Sequence, residues 1–475
     1  MAIAVINRVN QLRLSLTLDD LPESSYSKSN TNMMNPYLLG FRCTLCNAEY
    51  SPEDSSAMYT CPKDGGNLDA VYDYRRIMRN INPYTLVQDP NRSIWHYGPL
   101  LPMFGKTINA TNGRNRTPLW SFGWSPLYRA PLLERALDSR AIWLKDDGRL
   151  PSASFKDRAS AIVIARAQEM GIKTITTAST GNAASALATL ASGNGIRCVI
   201  FVPENTPEGK LAMMLVHGAT VYEVQGSYDD AVALSNEAAQ RFGWYNRNTG
   251  FNPYTREGKK TAAFEIAEQL ALTGPLEPRG PATDYSRVPQ LPGRQAAFRT
   301  PDVIVVPVGD GNIISGLHKG FKDLYALGGI DKVPRFVGVT ATLAPSLATA
   351  WRNDTEEIMR VASSTLASGI SVDKPNDGLM ALRTLRETRG TLIEATDEEM
   401  IEAMGLLARR AGVFVEPAAA AVYVGLEKAR RAGYIRGDDE VVLQLTGSGL
   451  KDTRSALLIN NKIESIQSLD DVKAV

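Results

Sequence analysis

From residue 141 onward, short runs of β-branched and aliphatic residues alternate with longer amphipathic stretches. That alternation predicts parallel strands joined by helices. Strands are expected at residues 141–144, 173–177, 198–202, 220–224, 303–306, 336–339 and 440–445. Helices are expected at 154–170, 207–217, 257–270, 313–327, 398–410 and 418–432, with another, rich in alanine and leucine, after a turn at 179–182. Ser154 is a candidate cap for the first helix and Gly171 its terminator. Two stretches break this rhythm. Residues 73–118 are rich in Asn, Pro, Tyr and Arg and read as a wrapping segment, whereas 273–301 carry Pro, Gly and Arg without periodicity and read as an insertion.

A chain of 475 residues can bury large cores, which suggests about three domains or one two-lobed enzyme with an extension. Its net charge of +1 offers no electrostatic footprint for nucleic acid or an anionic membrane, so neither is an expected partner. The first residues mix Arg8, Arg13 and Lys28 with Asp19, Asp20 and Glu23, without the uncharged core of a signal peptide. No later stretch has the length of a membrane span, and the expected location is the cytoplasm.

Four cysteines are too few for a disulfide framework in a chain this long, and Cys198, within Cys-Val-Ile-Phe-Val, reads as core. The others lie in Cys43-Thr-Leu-Cys46 and Cys61-Pro-Lys-Asp64. Two Cys-x-x-Cys knuckles make a zinc ribbon, because paired thiolates on tight turns close a tetrahedral site. Here Asp64 stands where the fourth cysteine belongs. Zinc on Cys43, Cys46 and Cys61 with Asp64 is one expectation; a metal-free ribbon held by its own packing is the preferred one. His96 lies too far along the chain to replace the missing ligand, and His217 reads as a helix-end residue favoured by the dipole.

Lys156, in Pro-Ser-Ala-Ser-Phe-Lys-Asp-Arg, is the best candidate for a nucleophilic amine. Alone it would be a solvated lysine near a helix start. It becomes useful where other segments build an anion cradle, hold a carbonyl compound and supply a proton path. Three segments follow in order: Ser179-Thr180-Gly181-Asn182, then Val308-Gly309-Asp310-Gly311-Asn312, then Leu445-Thr446-Gly447-Ser448-Gly449. The first opens a helix, which is itself an anion site. The second lies between a buried strand and a helix, so it is either a phosphate cradle of backbone amides or a simple tight turn. Thr446 on its own would only end a strand.

Together and in this order, these segments resemble the pyridoxal-phosphate enzymes of fold type II, and within them the threonine synthase family, over residues 41–452 or so. The resemblance implies a two-lobed, doubly wound α/β fold. Residues 1–95 would be the ribbon-like extension and 96–475 the catalytic region, with a smaller lobe at about 172–250. Ser125-Pro126-Leu127 would open that fold as a short strand. Lys156 would form a Schiff base with pyridoxal 5'-phosphate and, once free, act as the general base. Gly309, Gly311 and Asn312 would bind the cofactor phosphate, Asn182 its phenolic oxygen, and the Thr446 hydroxyl its ring nitrogen. Ser179, Thr180 and Gly181 would hold the α-carboxylate of a small amino-acid substrate. A homodimer is implied as well.

Two departures stand out. The glycine loop is one residue shorter than the family's Gly-Asn-Ala-Gly-Asn. Counting back from Glu257-Gly258, the family's Asn-Ser-x-Asn-Pro-x-Arg falls on Thr249, Gly250, Phe251, Asn252, Pro253, Tyr254 and Thr255. Thr255 thus replaces the arginine that holds the leaving phosphate of O-phosphohomoserine, and the adjacent Arg256, with Asn248, is the candidate substitute. The first reading is conversion of O-phosphohomoserine and water to threonine and phosphate. The second is a paralogous β-elimination or β-replacement on serine, threonine or phosphoserine, and the third a cofactor-binding relic without catalysis.

Overall fold

The computed structural model describes residues 35–54, 58–103, 117–179, 181–204, 206–226, 228–274 and 296–459. Thr180 and most of the 273–301 insertion lie outside them. The apolar runs become β5 (Ala141–Asp146), β10 (Val303–Pro307), β11 (Arg335–Ala341), β12 (Thr391–Ala395) and β13 (Glu440–Leu445), with β4 (Leu127–Arg129) at the edge. They form one sheet in the order β12-β11-β10-β13-β5-β4, parallel throughout except for the β4–β5 pair. Every residue of β5, β10 and β13 is buried, which is why these strands read as continuous apolar runs rather than alternating ones.

A second parallel sheet holds β6 (Thr174–Ala178), β7 (Arg197–Pro203), β8 (Thr220–Val224) and β9 (Tyr245–Asn246), in the order β8-β7-β6-β9. Cys198 is buried in β7, as its apolar neighbours suggest. Nearer the N-terminus, β1 (Leu38–Cys43), β2 (Glu49–Tyr50) and β3 (Leu68–Tyr72) make a small antiparallel sheet. The aperiodic stretch after it contains the short helices Tyr74–Asn80 and Pro83–Gln88, started by the Asp73 and Asn82 side chains. From this stretch Tyr74 and Tyr97 donate hydrogen bonds to Asp323 and Glu268, far along the chain. His96 is buried beside Glu268, 3.3 Å away, and is part of this packing.

Three expectations about helices need correction. The first long helix spans Lys156–Glu169, and its cap position is Phe155 rather than Ser154. The Phe155 amide donates to Thr446 O at 2.9 Å, and the Ser154 hydroxyl meets that of Ser152 instead of capping the helix. The expected 257–270 helix is two, Tyr254–Lys259 and Thr261–Leu272. It starts early because the Asn252 side chain accepts from the Tyr254 amide and so begins the turn. The helices Tyr228–Phe242, Ser346–Arg352 and Gly378–Glu387, with β12, add to those expected.

A buried ionic network locks the Lys156 helix to the sheet. Lys145 of β5 donates to Glu265 at 2.7 Å, and Arg158 reaches Glu265 and Asp147, each at 2.7 Å. Arg158 and Lys145 are 0% exposed. Burial alone would raise the Glu265 carboxyl, but the charges of Arg158 and Lys145 outweigh it and hold it down at about 2. Removing one member leaves uncompensated charge inside the protein. Glu265→Ala is therefore expected to lose about 3–5 kcal/mol in urea unfolding, whereas Arg42→Ala, in the exposed Arg42–Glu49 pair, loses less than about 1 kcal/mol. Equal losses would contradict this assignment. Because Glu265 titrates lower folded than unfolded, its contribution is complete above the ordinary carboxylate range and fades as pH falls toward 2.

Candidate active site

Parallel strands direct their carboxyl ends, and the loops that follow, to one edge of the sheet, where such folds place their ligands. The loops after β5, β10 and β13 meet there. The Phe155–Thr446 hydrogen bond, a bridge between Ser154 and Gly447, and the Ser448 amide on Ala153 O stitch the first loop to the last. The Glu416 amide donates to Gly447 O and ties in the start of the Pro417–Arg431 helix. Lys156, Gly309, Gly311, Asn312 and Thr446 thereby line a single cleft, together with Glu416 and Lys259.

The Lys156 amine is pushed down to about 8. Burial is the main cause; the Glu416 carboxylate opposes it and Arg247 adds to it. A deprotonated fraction is thus present near neutral pH, as a nucleophile or base requires. Opposite it, Gly311 has φ of +87°, and Asn312 begins the Asn312–Ala326 helix. A Cβ on Gly311 would lie 2.4 Å from Asp377 O, and one on Gly309 2.7 Å from Ile370 Cα, so only glycine fits. The first amides of that helix precede its internal hydrogen bonding and suit a phosphate. Among the described residues the buried Asn312 Oδ1 and Asn182 Oδ1 have no hydrogen-bond partner, which fits a polar group still to be received.

The Ser179 hydroxyl accepts from the Gly181 amide at 3.1 Å, shaping the turn before the Asn182–Ala191 helix. Asn182 donates to Glu416 Oε1 at 2.6 Å.

Two expected substrate contacts are placed elsewhere. Asn248 accepts from the Thr177 hydroxyl and the Ala178 amide, at 3.0 and 2.9 Å, and so anchors the end of β6. Arg256 is held by ion pairs to Asp377 and Asp69. Asp377 in turn accepts from Asn312 Nδ2 at 2.9 Å and from the Ser315 hydroxyl, so Arg256 supports the glycine loop from behind. Thr255 is buried and donates to Asn252 O at 2.7 Å.

The cations near Lys156 are different ones. Lys259 is buried in the cleft wall, and burial, with the charges of Lys156 and Arg247, holds it well below the ordinary lysine range. Arg247, also buried, donates to the Thr249 hydroxyl at 2.6 Å. Lys259 directly follows the Glu257-Gly258 pair, and Glu416 directly precedes a proline at a helix start; those positions were the only signals of either in the sequence.

A family profile described as pyridoxal-phosphate dependent enzyme matches residues 121–447. The chain is 33% identical over 420 residues to the threonine synthase of Methanocaldococcus jannaschii, covering 88% of this chain and 94% of that one. The chain belongs to the threonine synthase family. It is also 33% identical over 336 residues to the threonine synthase of Mycobacterium tuberculosis strain H37Rv, covering 70% and 84% of the two chains. Diaminopropionate ammonia lyase from Escherichia coli superposes with a TM-score of 0.59 at 18% identity, over 78% of this chain and 94% of that one. Threonine deaminase isoform 2 from Solanum lycopersicum gives 0.58 at 18% identity, over 75% and 86%. Both share the type II fold. The chain is thus a pyridoxal-phosphate-dependent lyase, and among the described residues no helix is long and apolar enough to cross a membrane.

Capture of pyridoxal phosphate by the cofactor-free protein, followed by its visible absorbance, should speed up about tenfold per pH unit until the Lys156 value of about 8 is passed, and then level off. In Glu416→Gln the plateau should begin at lower pH, because the carboxylate that favours the protonated amine is gone. A flat profile, or an upward shift in the variant, would contradict the assignment.

Proposed function

We propose that this member of the family converts O-phosphohomoserine and water to threonine and phosphate. The observation that carries the reading is the set of buried cations around Lys156, with Lys259 and Arg247 supplying charge that Thr255 does not. Pyridoxal phosphate, when bound, supplies an electron sink for negative charge developing on the substrate carbons. The Gly309–Asn312 loop receives the cofactor phosphate on backbone amides, and Asn182 and Thr446 orient the ring. Ser179, Thr180 and Gly181 hold the substrate carboxylate. Lys156, set at about 8, removes and returns protons from one face of the substrate.

Lys259 and Arg247 grip the leaving phosphate. Desolvation holds Lys259 well below the ordinary lysine range, and a phosphate dianion beside it favours the charged form. A cytoplasmic homodimer is the assembly and location that the resemblance implies. The burial of Thr255 and the ion pairs on Arg256 favour a second reading, β-elimination on an amino acid without a phosphate ester.

Turnover of O-phosphohomoserine should release phosphate and threonine in equal amounts. Lys259→Met should raise KM for it roughly 10- to 150-fold, as expected for a lost charge-assisted hydrogen bond, with cofactor content unchanged. Ammonia and keto acid from serine or threonine, with the phosphate ester ignored, would establish the second reading instead.

A further inference from the structure

We propose that Cys43, Cys46, Cys61 and Asp64 bind one zinc ion, and that this ion braces the loop that cradles the cofactor phosphate. The antiparallel pairing of Cys43 with Leu68 brings the two knuckles together. The three sulfurs and a carboxylate oxygen all lie within 4.8 Å of one another. Zinc–sulfur bonds of about 2.3 Å at tetrahedral angles place sulfurs about 3.8 Å apart, and Cys46 Sγ and Cys61 Sγ are 3.7 Å apart. Cys43 Sγ lies 3.3 Å from Asp64 Oδ1, near the shorter edge expected between sulfur and oxygen ligands. A disulfide needs a separation of about 2.05 Å, so these are free thiols, at a spacing that also suits a shared ion.

The surroundings are those of a metal knuckle. The Leu45 amide donates to Cys43 Sγ at 3.3 Å and the Gly66 amide to Asp64 Oδ1 at 2.9 Å. Tyr50 Oη lies 3.0 Å from Cys61 Sγ. Such donors orient ligands and offset their charge. Cys43 and Cys61 are buried whereas Cys46 and Asp64 are exposed, which leaves an entry path for the ion. The cluster is too tight for a multi-iron centre and suits a single ion. Asp64 then completes the ligand set instead of breaking it.

The brace follows from what the knuckles touch. Three residues past Asp64, Asn67 donates to Asn376 O at 2.8 Å and to Asp377 at 3.2 Å, and Asp69 accepts from Arg256 at 3.1 Å. On the first knuckle, Thr44 O accepts from Arg383 at 2.6 Å. The Asp377 amide donates to Asp310 O at 2.9 Å, and its carboxylate holds Asn312. A ribbon this small has little apolar core of its own, and metal binding supplies much of the folding free energy of such units.

Full-length enzyme purified without chelator should contain one zinc per chain by mass spectrometry. Cobalt in its place should give the intense visible bands of tetrahedral thiolate coordination. Cys46→Ser, at an exposed ligand, should retain less than a tenth of that zinc and bind pyridoxal phosphate at least tenfold more weakly. Asp64→Cys should keep both. Wild-type protein with less than a tenth of a zinc per chain under reducing conditions, and no cobalt bands on titration, would overturn the site. Unchanged cofactor affinity in zinc-free Cys46→Ser would overturn the brace.

Discussion

The cleft depends on keeping one amine, Lys156, out of bulk water without fixing its proton. Burial alone would strip the charge, and the neighbouring Arg247 pushes the same way; the Glu416 carboxylate restores part of it, leaving the amine at about 8. The same space has to accept anionic groups, which is why further cations crowd it. Lys259 is the extreme case, held well below the ordinary lysine range by burial, and an arriving anion favours its charged form. A loop carrying Asp310 so close to a phosphate site would repel the anion if ionised, but burial raises that carboxyl to about 7.

Such a balance requires rigid support, and the support is largely ionic. At the start of the Lys156 helix, Lys145, Glu265, Arg158 and Asp147 are linked in a buried chain of ion pairs. Behind the glycine loop, Asp377 is shared by Arg256, Asn312 and Asn67. Burial would raise the Asp69 carboxyl, yet Lys319 and Arg256 hold it at about 2, so the link from the N-terminal sheet to Arg256 persists as an ion pair. Breaking such a network is costly, although the intact network need not add net stability over well-packed apolar residues.

Strands made of continuous apolar residues were legible to within a residue or two. Residues 440–445 coincide with β13 because burial on both faces leaves a plain signature; residues 220–224 coincide with β8 although that strand is largely exposed. Helix starts were less legible: Ser154 looked like a cap, but the Phe155 amide is satisfied by Thr446, 291 positions away in the chain. The residues carried by motifs, Lys156, Gly309, Gly311, Asn312 and Thr446, come together in one cleft. Arg256 was misplaced for the opposite reason. Its partner Asp377 lies 121 residues on and carries no local signal. Lys259 and Glu416 look in sequence like ordinary surface charges, and only the approach of distant segments shows them to be buried.

The measurement that goes most directly to the centre of this account separates the two lysines that line the cleft. Borohydride reduction of the enzyme loaded with pyridoxal phosphate, followed by peptide mapping, should place the pyridoxyl group on Lys156 alone, with Lys259 unmodified. Label on Lys259, or retention of the label in Lys156→Ala, would contradict the account.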